Sequence, residues 1–90
     1  MEAISPYHLA QRAIADLKAA VRALLEDSGP DGATNAQIGR ILGIYAGHEG
    51  HEGHVSRVLL AMLEGEGVAE QDESSLRWRL KRHAADSHAK

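Results

Sequence analysis

From Leu9 to Leu25, apolar residues recur at three- and four-residue steps through Ala13, Ile14, Leu17, Val21 and Leu24, while Gln11, Arg12, Asp16, Lys18, Arg22 and Glu26 fill the other positions. That spacing is the stripe of an amphipathic helix. Ser5 offers a side-chain acceptor to the first free amides, and Pro6 stands where a missing N–H costs nothing, so the helix starts there. Ser28-Gly29-Pro30-Asp31-Gly32 ends it, because glycine takes the left-handed cap conformation and proline cannot continue. Thr34-Asn35-Ala36-Gln37 has the form of a capping box and opens a second, short helix. This helix carries Ala36, Ile38, Ile41 and Leu42 and closes at Gly43.

A third helix is expected over about 54–64, or from His51, with Val55, Val58, Leu59, Met62 and Leu63 facing inward. His54, Arg57, Leu60, Ala61 and Glu64 then turn outward. After Gly65-Glu66-Gly67, the stretches Val68–Gln71 and Leu76–Lys81 flank Asp72-Glu73-Ser74-Ser75. The second stretch alternates strictly, Leu76, Trp78 and Leu80 against Arg77, Arg79 and Lys81, which is the period of a half-buried strand. The pair predicts a β-hairpin. One core is expected to join Leu17, Val21, Leu24, Ile38, Ile41, Leu59, Met62, Leu63, Val68, Trp78 and Leu80, with Trp78 its largest member.

Ninety residues hold one small domain, here 1–81 with a flexible tail over 82–90. Hydrophobic residues make up 43% and charged residues 26%, a composition that folds rather than staying disordered. With only Trp78, Tyr7 and Tyr45 as aromatics, the core is aliphatic and the fold mainly helical. Absence of cysteine excludes a disulfide framework and a thiolate zinc site and fits a reducing, cytoplasmic setting. No apolar run approaches the length of a membrane span, and the N-terminus lacks the order of a signal peptide. A cysteine nucleophile, a phosphate-binding glycine loop, a His-Glu-x-x-His pair and a Gly-x-Ser-x-Gly elbow are all missing, so the sequence predicts neither an enzyme nor a cofactor.

The order helix, short capped helix, longer helix, hairpin resembles a winged helix-turn-helix domain of the kind found in small prokaryotic regulators. Thr34–Ile44 looks like the first helix and turn of that motif, with a capped start, a small residue facing the next helix and a glycine before the turn. Val55–Glu70 resembles a recognition helix running into the first wing strand. The resemblance covers about residues 3–81 and implies an α+β, mainly α fold of three helices and a two-stranded wing. It departs from the family at residues 44–53, where about ten residues replace a tight turn.

The resemblance implies double-stranded DNA as partner, in transcriptional regulation, with the third helix in the major groove and the hairpin against the backbone. Arg57, with Ser56 and His54, would meet base edges and nearby phosphates. Arg77, Arg79 and Lys81 would contact the backbone from the wing, while Asn35, Gln37 and Arg40 fix the approach. Charge is divided along the chain, whose net value is −3. Arg77, Arg79, Lys81, Arg82 and Lys90 face Asp86 alone, whereas Glu64, Glu66, Glu70, Asp72 and Glu73 precede them with no base between. In an alternative assignment Arg77, Arg79 and Lys81 are a solvated strand face paired with Glu70 and Asp72 across the hairpin. So few cations on a lone module imply a homodimer or a larger assembly. A second possible role is a protein-binding or dimerisation module, for which Leu60 and the long face of the first helix supply apolar surface. His48, His51 and His54, within the repeated His-Glu-Gly, have close spacing, but their glycines oppose a helix and no further ligand cluster completes a metal site.

Overall fold

The computed structural model describes residues 5–45 and 53–81. Helix α1 spans Pro6–Ser28, a 3-10 turn Gly29–Asp31 follows, and α2 (Asn35–Ile41), α3 (His54–Gly65), β1 (Ala69–Gln71) and β2 (Trp78–Leu80) complete the order. The two strands pair antiparallel with Glu70 opposite Arg79. This is the α+β, mainly helical architecture with a terminal hairpin that the sequence pattern predicts. The tail and Arg82 lie outside the described residues, as do His48 and His51.

Local signals act as expected at the starts of α1 and α2, whereas Gly29 at the end of α1 has φ +65° with ψ −154° instead of the left-handed helical cap. Ser5 Oγ accepts from the His8 amide at 3.1 Å. Thr34 Oγ1 accepts from the Gln37 amide at 3.2 Å, and Gln37 Oε1 accepts from the Thr34 amide at 2.8 Å, closing the capping box. Substituting Thr34 by alanine removes one half of that exchange and is expected to lower stability by about 1 kcal/mol, measured by urea unfolding.

The core gathers Val21, Leu24 and Leu25 of α1, Ala33, Ile38 of α2, Leu59, Leu60 and Leu63 of α3, Ala69 and Trp78, with Leu17, Leu42, Ile44, Val68 and Leu80 packed at its edge. One contact has no signal in the hydrophobic pattern. Ala33 bridges Trp78, its amide donating to the Trp78 carbonyl at 2.9 Å and its carbonyl accepting from the Trp78 amide at 2.7 Å. Trp78 is thereby held between Ala33 and β1, which ties the start of α2 to the hairpin.

Four expectations are corrected. Helix α3 is rotated about its axis: Leu60 and Ser56 are buried, whereas Val55 and Val58 are exposed and Met62 is half-buried. The stripe Ser56-Leu59-Leu60-Leu63 has the same three- and four-residue spacing as the apolar one, and it wins because the Ser56 hydroxyl finds a partner inside. Ile41 is 69% exposed, because Ile38 and Leu42 already fill the inward side of α2. Leu76 is 59% exposed with φ +63°, outside the strand. Its amide donates to the Asp72 carbonyl at 2.8 Å, so the turn runs on through Leu76 and alternation starts only at Trp78. Leu9 is exposed, since α1 extends past the body that its C-terminal half packs against.

Candidate nucleic-acid interface

Helices α2 and α3 are joined by a small polar latch. Asn35, the first residue of α2, accepts from Ser56 Oγ at 2.7 Å through Oδ1 and donates to the Gly53 carbonyl at 3.2 Å through Nδ2. Ser56 is fully buried, so this bond satisfies a hydroxyl that would otherwise be costly inside. The sequence pattern predicts Ser56 against a phosphate and Asn35 in docking. Both instead spend their polar atoms on each other and fix the angle between the two helices.

Glycine makes that approach close. A Cβ on Gly39 would lie 2.9 Å from the Tyr45 ring and 3.2 Å from Ser56 Oγ, so only glycine lets α2 settle on both. Gly39 is thus a small residue facing the next helix. Gly53 caps α3 in the left-handed region at φ +87°.

The latch brings cations to the beginning of α3. The Arg40 guanidinium stacks on the Tyr45 ring, 4.5 Å from its centroid, an attraction of about 0.5–1 kcal/mol at a partly exposed site. A Cβ on Gly53 would lie 3.4 Å from the Tyr45 ring edge and 3.7 Å from an Arg57 guanidinium nitrogen. The Arg57 guanidinium and the edge of the Arg40-stacked Tyr45 ring therefore both border Gly53 at the N-terminal end of α3. Neither α2 nor the first turn of α3 carries an acidic residue. The helix adds its own partial positive charge at this end. Gln37 and Arg40 are exposed on α2, and His54 and Arg57 on α3. Tyr45, the organiser of this cluster, carries no sequence signal, because its position depends on how the chain leaves Gly43.

The wing is arranged differently from its expected basic edge. Arg79 Nε meets Glu70 Oε2 at 3.1 Å, and its Nη1 lies 3.8 Å from Asp72 Oδ1. Arg77 donates from Nε to the Asp31 carbonyl at 2.9 Å and from Nη2 to the Gly32 carbonyl at 3.2 Å. Thus Arg79 is neutralised across the hairpin, as in the alternative assignment, and Arg77 braces the 3-10 turn. Lys81 remains exposed at the end of β2. The acidic run is offset too, since Lys18 pairs with Glu66 and Arg79 with Glu70 and Asp72.

At the wing tip the Asp72 carboxylate accepts from the Ser75 amide at 2.7 Å and from the Ser74 amide and hydroxyl, each at 3.1 Å. Those bonds, led by the Ser75 amide, hold its pKa down at about 2. A lowered carboxylate pKa stabilises the fold above the unfolded value near 4, and that stability is lost as pH falls towards 2. Thermal melts between pH 5 and pH 2 are therefore expected to fall more steeply for the parent than for Asp72→Asn; parallel curves would show that the turn does not depend on the charge.

No three or more His, Asp or Glu side chains among the described residues are grouped to hold a metal ion. No helix among them is long and apolar enough to cross a membrane. The chain matches no protein-family model, and no curated protein or solved structure shows significant similarity to it.

Proposed function

We propose that the chain is a winged helix-turn-helix module that binds double-stranded DNA through the N-terminal end of α3 and the adjoining edge of α2, in a regulatory rather than catalytic role. The observation that carries this reading is that the Arg40-stacked Tyr45 ring and the Arg57 guanidinium both border Gly53, at a helix end with no acidic residue in its first turn. Two guanidiniums beside an N-terminus suit a phosphate flanked by a guanine edge. Arg57 is the base reader in this scheme, Arg40 and Gln37 hold the backbone, and Val58 and Ala61 are small enough to meet thymine methyls on the exposed side of α3. The wing contributes Lys81, with Arg77 and Arg79 keeping the hairpin rigid.

Fluorescence anisotropy with a set of labelled duplexes tests this division of roles. Arg57→Ala is expected to cost about 1–3 kcal/mol on the preferred duplex and to relax the preference, and Arg40→Ala to weaken all duplexes alike. Arg12→Ala, on the far half of α1, serves as the comparison and should change little. Equal affinities for all four proteins would remove α3 from the interface. One observation favours a protein partner instead: Ile41, Val55 and Val58 place apolar side chains in solvent on the same two helices. If duplexes do not bind, that surface is the next to test.

A further inference from the structure

The buried residues of α1, Val21, Leu24 and Leu25, all belong to its C-terminal half. Residues 5–16 are exposed apart from a half-buried Ile14, so several turns project past the body. Yet the projecting part keeps an apolar line. At 100° per residue, Tyr7, Ala10, Ile14 and Leu17 continue the inward face of Val21 and Leu24 with the spacing of a heptad seam, whereas His8, Arg12 and Asp16 fall on the opposite side. Tyr7, at the tip of that line, is 68% exposed.

We propose that a second copy of this chain covers this line, the two projecting halves of α1 packing antiparallel about a two-fold axis beside residue 12. Reversal sets Ala10 against Ile14 of the other copy, a small residue facing a large one, and Tyr7 against Leu17, where the body ends the contact. The pattern is self-complementary, as an isologous interface requires. Charge agrees with it. The seam and its flanking Gln11 and Ala13 are uncharged, so no like charges meet at the axis. The Lys18–Glu66 pair at the level where α1 of the second copy would begin is internally neutral, so no unpaired charge opposes that helix end there. The two Val21 positions would be offset by about 27 Å along the helix, which leaves each body beyond the end of the other copy's α1. This pairing stands whether or not DNA is the ligand.

Sedimentation equilibrium of the full chain up to about 200 μM reads the result directly. The parent is expected to show a reversible dimer. Ala10→Glu buries a carboxylate in the seam and should weaken association by at least about tenfold. Arg12→Glu, on the outer side, should leave it unchanged. Position 10 is exposed in the single chain, so Ala10→Glu retains its fold, as circular dichroism will verify. A parent that stays monomeric, or a dimer equally tight with Ala10→Glu, overturns the proposal. The chain has no cysteine, so the register can be read with Ala10→Cys and Ile14→Cys. A short bismaleimide should link the mixed pair faster than either alone, and faster linking of like with like would contradict the antiparallel order.

Discussion

Replacing Trp78 with alanine is expected to destabilise the domain by about 3–5 kcal/mol, enough to leave much of so small a chain unfolded. Trp78 is the largest buried side chain and belongs to the core shared by α1, α3 and the hairpin. Truncation there removes apolar contact and leaves a cavity that the helices cannot close without moving. Urea unfolding measures the loss, and a variant as stable as the parent would show that the indole is not the centre of the core. Trp78→Phe should recover part of the difference because it refills most of the volume.

A second large effect is expected from Gly32→Ala. Gly32 has φ +70°, and a Cβ there would lie 2.1 Å from the Trp78 carbonyl oxygen and 2.9 Å from its carbonyl carbon. Those are backbone atoms, so relief requires the Ala33–Trp78 bridge to open. Loss of that bridge, displacement of the Trp78 main chain and left-handed strain together amount to about 3–5 kcal/mol. Gly29→Ala separates the contributions. Gly29 has φ +65° and ψ −154° but nothing within 4 Å of a Cβ, so its substitution carries only the backbone strain, about 1–3 kcal/mol. Equal costs at the two positions would refute the close approach of Gly32 to Trp78.

Features written by neighbouring residues were readable from the sequence, and those decided by distant contact were not. The box at Thr34 and Gln37, the cap at Ser5 and the left-handed Gly43 each depend on a few adjacent residues. The phase of α3 does not, because its two candidate stripes have the same period and Asn35 selects between them from another helix. Ala33 forms a single bridge, too short for any alternation to announce it. Leu76 adopts a conformation that its side chain disfavours, held by Asp72 across the loop. At the candidate interface, the order of elements points to Arg40 and Arg57. The stacking of Arg40 on Tyr45 depends on the space that Gly39 leaves for the ring, and no local pattern announces it. The cross-hairpin pairing of Arg79 was readable, since acid and base alternate on facing strands.

Binding of duplex DNA is the central claim, and a salt-series titration of the parent tests it most directly. With Arg40, Arg57, Lys81 and the end of α3 as the positive groups of the interface among the described residues, about two to four phosphates are neutralised. The logarithm of the association constant should then fall against the logarithm of salt with a slope of about −2 to −4. A chain that shows no salt-dependent binding at about 50 mM salt, even near the ~100 μM limit of weak non-specific association, would contradict DNA recognition by this module.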